Sequence, residues 1–206
     1  ADNLREMAEC MIELLNKNGT LIIEVQYIVN TIKDLSFDNI YHEHYNYWSL
    51  TSLNLFFKKY ENIKLFKVER VNTHGGSIRV FFTKNMSQNI DKSVKKILDS
   101  EKKFGIQKFE TYKQFADKIY KLRDNFQENL NRLVKTKKNL IAYGAPAKAT
   151  TALNFFSVKD QIKFIIEDNK LKHNKFVPGV NIPIYANQKI KEKQDKILVL
   201  AWNFYD

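Results

Sequence analysis

Between Asp91 and Lys138 the sequence is almost wholly helical in pattern, and this stretch dictates how the rest of the chain is organised. Phe115, Ile119, Leu122, Phe126, Leu130 and Leu133 recur every three or four residues against a charged background, the mark of one long helix with a single buried stripe. A lone helix of this kind cannot close a core. It reads as a bridge between two halves, each of which must supply its own sheet.

Both halves carry that signal. Ahead of the bridge, "DNLREMAECMIELLNK" places Leu4, Met7, Ala8, Met11, Leu14 and Leu15 at helical spacing with Asn18-Gly19 as its stop, and "TLIIEVQ" at 20–26 follows as a β-branched strand. "SLTSLNLFFKKY" reads as a helix capped by Ser49, and "IKLFKVER" and "SIRVFFTK", joined by "VNTHGG", read as an antiparallel hairpin. Beyond the bridge, "NLIAY", "IKFIIE" and "KILVLA" are apolar strand candidates separated by loops and helical segments, the cadence of an α/β unit with a parallel sheet. The chain starts at Ala1 already inside a helical pattern, and the expectation is that it begins within a larger protein.

Composition narrows the function classes. With 44% hydrophobic residues in 206, the chain can bury a real core. It has no run of about 18 apolar residues and no signal-peptide pattern, so neither a membrane partner nor export is expected. The single cysteine, Cys10, is read as a packing residue in a reducing, cytoplasmic setting. The net charge of +11 is spread along helices, with no block longer than "KTKK" at 135–138. Nucleic acid is therefore not the expected partner, and a bound phosphate or nucleotide uses the same charge more economically.

Three segments concentrate chemistry. In "FDNIYHEHYNYWSL", residues Tyr41, His42, Glu43 and His44 offer a base, an acid and hydroxyl donors within four positions. Hydrogen bonds that pin a loop are one explanation, and proton transfer at a substrate is another. A His-x-His pair can also bind a metal, but no cysteine or carboxylate elsewhere has complementary spacing, so no metal is expected. In "THGGS", Gly75 and Gly76 suit a hairpin turn, or let backbone approach a ligand beside His74. "AYGAPAKATTALN" runs from a strand into a helix, where amides near Gly144 and the charge of Lys148 form a candidate phosphate seat. Asp168, closing "IKFIIED", stands where α/β sheets often place a ribose-binding acid.

Taken in order, "FDNIYHEHYNYWSL", "NTHGGSIRV", "AYGAPAKATTALN", "EDNKLKHNKFVPGVNIPI" and "LVLAWNFYD" resemble the SAM-dependent C-methyltransferases that act on nucleotide-linked keto sugars, over essentially all 206 residues. The resemblance implies an α/β protein: the C-terminal part of a Rossmann-like methyltransferase domain at 1–84, a helical bridge at 85–136 and a second Rossmann-like, nucleotide-sugar-binding α/β domain at 137–206. The cofactor it implies is S-adenosyl-L-methionine. Zinc is expected only in an N-terminal domain that this sequence lacks, and with the main SAM-binding loop also missing, this chain alone is expected to be inactive.

By the same resemblance His44 is the base that takes the proton beside the ketone, Glu43 orients it or accepts a substrate hydrogen bond, and Tyr41 donates near the sugar; the enolate carbon then attacks the SAM methyl. His42, His74, Gly75, Gly76, Gly144, Lys148, Asn154, Asp168 and Asn203 form the implied substrate-binding set. A non-catalytic nucleotide-sugar-binding module is the alternative, and a basic RNA-binding protein a more distant one, to be marked by a steep salt dependence.

Overall fold

The computed structural model describes residues 3–136, 140–158, 160–190 and 196–201. The chain divides into two compact units. One comprises Ala1–Ser36 and Glu43–Gln114, the other Phe37–His42 and the chain from Phe115 onward.

The first unit is built on a three-stranded antiparallel sheet. Helix α1 (Leu4–Glu13) leads into strand β1 (Thr20–Gln26) and short helix α2 (Ile28–Lys33). Helix α3 (Leu50–Phe57) then precedes strands β2 (Lys64–Val71) and β3 (Ser77–Thr83). The sheet order is β1-β3-β2, so the last strand is central. Its position explains its composition: Ile78, Val80 and Phe82 are fully buried, each contributing about 1.5–3 kcal/mol of transfer free energy. Phe57 of α3 meets Phe82 with ring centroids 4.4 Å apart. Across the sheet Glu24 stands opposite Arg79 in register and pairs with it at 2.7 Å.

Helix α3 begins as the sequence reading expects, with Ser49 and Ser52 forming a reciprocal capping box. Helix α1 differs from that reading. Its buried positions are Ala8 and Ile12, whereas Leu14 and Met7 are exposed and the helix ends at Glu13. Cys10 is likewise exposed rather than packed. The apolar set includes Leu14, but the helix stops one residue earlier, so the inward face is set by the residues one turn before it.

The bridge is two helices rather than one. Helix α4 (Lys92–Phe104) stops at Gly105, whose left-handed φ of 83° lets Ile106 N–H reach back to the Glu101 carbonyl at 3.1 Å, a Schellman termination. Helix α5 (Phe109–Thr136) follows and passes from the first unit into the second at Phe115. Of its apolar stripe, Ile119 and Leu130 are buried, Phe115, Phe126 and Leu133 half-buried, and Leu122 exposed. The helical period is there, but few elements cover it.

The second unit holds a four-stranded parallel sheet in the order β6-β5-β4-β7, formed by β4 (Leu140–Tyr143), β5 (Ile162–Ile166), β6 (Ile184–Tyr185) and β7 (Ile197–Val199). Helix α6 (Ala147–Phe155) connects β4 to β5. Phe126 of α5 stacks on Phe156 at 4.4 Å, and Phe37, from the short 3-10 turn Phe37–Asn39, meets Phe155 and Phe156 at 4.8 and 5.3 Å. Strand β6 is only two residues long and follows Pro183, too little for a periodic signal.

Candidate functional site

The histidine segment leaves Phe37–Asn39 and has no helix or strand until α3, so alternation of side chains between two faces does not apply to it. The division between the units falls inside it, between His42 and Glu43. Tyr41 and His44 are half-buried; His42 and Glu43 are exposed. Tyr41 and His42 rings meet edge to face at 6.0 Å. The far end of the segment is tied down in the first unit. Trp48 bridges Tyr27 in parallel sense, and its carbonyl accepts the Ile28 N–H at 3.0 Å.

Next comes a residue that the sequence pattern did not single out. Glu101 of α4 is fully buried. Its Oε1 accepts the Leu50 N–H at 2.7 Å, and its Oε2 accepts the Thr51 N–H at 2.8 Å together with the Thr51 hydroxyl. The Tyr27 phenol stands within reach of its charge. Burial first, and then the Glu101 carboxylate, push the Tyr27 hydroxyl well above its ordinary titration range. Only the charge of Glu101 in a helical background hinted at this role, and dozens of other residues share that signal.

The hairpin turn belongs to the same unit. Gly76 has φ 110°, and a Cβ there would stand 2.0 Å from Asn30 Nδ2. That Asn30 amide donates to the Gly75 carbonyl at 3.3 Å, while its Oδ1 accepts from Arg70 at 2.5 Å. Tyr27 N–H donates to the Gly76 carbonyl at 3.1 Å. The close approach that Gly76 permits is thus to Asn30, and the turn is clamped onto the end of β1. His74 lies in the 3-10 turn Thr73–Gly75.

In the second unit the C-terminal ends of β4 and β5 bring Tyr143, Gly144, Glu167 and Asp168 together. The Tyr143 hydroxyl donates to the Asp168 carboxylate, and this bond, with the charge beside it, raises the phenol's titration. Gly144 has φ 87°, and a Cβ there would meet Ala201 Cβ at 2.7 Å. Glycine is required because the chain beyond β7 passes directly over it.

Lys148 sits half-buried in the first turn of α6. The amide of Ala145, just before that helix, already donates to Glu167 Oε2 at 2.8 Å, and Lys172 bonds the Ala145 carbonyl at 2.8 Å. Burial alone would raise the Glu167 carboxyl. The amides of Asn169 and Ala145, the Lys172 ammonium 3.6 Å away and the Asp168 amide outweigh it and hold the group below its ordinary value.

Asn154 is not gathered with these residues. Six positions along α6 from Lys148, about 9 Å by helical rise, it donates to the carbonyls of Thr150 and Pro178 at 2.8 and 2.9 Å. Asn203 lies outside the described residues. A shallow open dent lined by Asp160, Ile162, Lys163 and the 179–183 turn lies at the start of β5, the end opposite Asp168. Among the described residues no group of three or more His, Cys, Asp or Glu side chains is placed to hold a metal ion, and no helix is long and apolar enough to cross a membrane.

Comparison with known proteins gives these clusters a family. The C-methyltransferase C-terminal domain family matches residues 72–206. The C-methyltransferase NovU of Streptomyces niveus is 33% identical over 205 residues, which is 98% of this chain and 49% of that protein. The chain spans about half the length of the curated relative it matches. With both the family pattern and the pairwise likeness running through the hairpin turn and the β4–α6 loop, the chain belongs to the C-methyltransferase family and carries its C-terminal domain.

Proposed function

We propose that this chain is the C-terminal portion of an enzyme that methylates the carbon next to the ketone of a nucleotide-linked keto-deoxysugar, with SAM as methyl donor. The observation that carries the reading is that the likeness to a C-methyltransferase covers 98% of the chain and so includes the Tyr41-His42-Glu43-His44 segment. A carbon next to a ketone is acidic only through enolate formation, so the reaction needs a base at that carbon and donors at the ketone oxygen. His44 is the base, an imidazole being suited to proton transfer near neutral pH. Glu43 orients it or accepts a sugar hydroxyl, and Tyr41 donates near the sugar.

In the second unit, Lys148 and the amides at the start of α6 hold the diphosphate, and Asp168 with Tyr143 meets the ribose. We also assign Asn154 and Asn203 to the nucleotide sugar, and His42, His74 and the Gly75-Gly76 backbone to the sugar itself.

We assign no SAM seat to the described residues. At the end of β1, where one edge of such a site would lie, Glu24 is held by Arg79 at 2.7 Å and by the Thr73 hydroxyl at 2.7 Å, and among the described residues no glycine-rich loop follows a strand. The step assigned to this chain is accordingly proton removal.

The test is exchange of that proton. In the protein as encoded in its gene, incubated in deuterium oxide with nucleoside-diphosphate-linked keto-deoxysugars and no SAM, deuterium should enter next to the ketone. His44→Asn should fold normally and lose this exchange by roughly 10²- to 10⁴-fold, because an amide fills the space without accepting a proton. Glu43→Gln should slow it less. Retained exchange in His44→Asn reassigns the base, with His42 next in line.

A further inference from the structure

We infer that Glu101 is a positioning residue for His44, acting through the exit of the segment that carries the histidine; the inference rests on the function proposed above. Three donors and one phenol surround Glu101: the Leu50 and Thr51 amides and the Thr51 hydroxyl bond to it, and the Tyr27 phenol stands within reach of its charge. They come from two stretches distant from α4 in sequence. Tyr27 is the residue after β1, and its own backbone, with that of Ile28, clamps Trp48. Trp48 is thereby fixed by the end of β1, and Leu50, two residues on, by Glu101. His44 lies four residues upstream of Trp48.

The Ser49-Ser52 capping box satisfies the Ser49 and Ser52 amides at the start of α3 and leaves those of Leu50 and Thr51, which Glu101 takes. Desolvation offsets much of what a buried anion gains from its partners, so such a group is a weak way to add stability and a strong way to fix direction. Here the direction fixed is that of the chain entering α3. Rotation of that entry moves the imidazole upstream, and proton transfer is sensitive to displacements of an ångström.

The test uses the same exchange assay in the protein as encoded, with a panel of nucleoside-diphosphate-linked 4-keto-6-deoxyhexoses. Each sugar carries either hydrogen or deuterium next to the ketone. Glu101→Gln keeps the volume but turns an amino group toward one of the two helix amides. It should slow exchange by about tenfold or more, raise the primary isotope effect, and leave nucleoside diphosphate affinity within about twofold of wild type, since the diphosphate contacts are in the other unit. A smaller fraction of folded protein would lower the rate without changing the isotope effect, so a rate loss with an unaltered isotope effect overturns the positioning role. So does exchange at the wild-type rate in folded Glu101→Gln.

Should Glu101→Gln not fold, Thr51→Val removes one donor, Tyr27→Phe removes the neighbouring hydroxyl, and both keep Glu101. A slower exchange with a raised isotope effect in either supports the inference, and wild-type behaviour in both overturns it. Absence of exchange in the wild-type protein overturns the proposed function, and this inference with it. Exchange at the wild-type rate in folded Glu101→Gln overturns this inference alone.

Discussion

Glu101 in the first unit and Glu167 in the second do comparable work in different surroundings. Each accepts a backbone N–H from the start of a helix or the loop entering it, and each stands near the C-terminal end of a sheet strand. Glu101 is fully buried and its donors are two amides and one hydroxyl. Glu167 keeps some solvent contact and has Lys172 beside it. The difference separates a fixed joint from an adjustable one. Nothing in water can replace Glu101 as acceptor, whereas the Ala145 amide, if released by Glu167, could be taken up by water or by an incoming anion.

The comparison breaks first at the buried joint. Glu101→Ala leaves two amides and a hydroxyl of α3 without their acceptor and should destabilise the first unit by about 3–5 kcal/mol. Denaturant titration followed by Trp48 fluorescence in a variant lacking the other tryptophan measures it; a loss below 1 kcal/mol would mean that the joint is as replaceable as Glu167. Gly76→Ala attacks the same unit from the hairpin side. With φ 110° and Asn30 in the way, it should cost about 2–3 kcal/mol, read from the same titration, and Gly75→Ala, with nothing within 4 Å, should cost less.

Two gentler variants sharpen the second unit. If the α6 entry receives a diphosphate, Lys148→Ala should weaken nucleoside diphosphate binding by about 1–2 kcal/mol, and unchanged affinity in calorimetry would remove Lys148 from the site. Glu167→Gln should cost about 1 kcal/mol of stability at neutral pH. Its pH dependence has a definite sign. The folded carboxyl titrates below its ordinary value of 4.5, so its contribution is complete above that value and disappears as the pH falls through the lower folded one. Stability curves of wild type and Glu167→Gln should therefore converge in acid, and parallel curves there would show that the charge does not matter.

The sequence disclosed what depends on local periodicity. Strands β1, β3, β4, β5 and β7, the Ser49 cap and the parallel character of the second sheet all follow from apolar runs and turn residues a few positions apart. Features set at a distance were not legible. The break at Gly105 was hidden because apolar spacing continues across it, and a single glycine inside a helical pattern is tolerated often enough to be passed over. Burial of α1 through Ala8 and Ile12 depends on which neighbours cover it.

Among the site residues, the segment from Tyr41 to His44, the Gly75-Gly76 turn and the β4–α6 loop stood out by composition. Glu101 did not, since its partners are 50 and 51 positions away, and no local pattern marks a carboxylate that will be buried. Asn154 drew notice by its motif, yet its amide is spent on the 178–179 turn.

Strand β1 has one further consequence, for anyone handling the protein. Among the described residues it pairs with β3 on one side alone and ends the sheet on the other, with Ile22 on it 55% exposed. A seven-residue edge without proline that carries Leu21, Ile22, Ile23 and Val25 is a template for another strand. The chain expressed by itself should self-associate with rising concentration, and a lysine in place of Ile22 should raise its solubility without altering the spectroscopic signature of the fold.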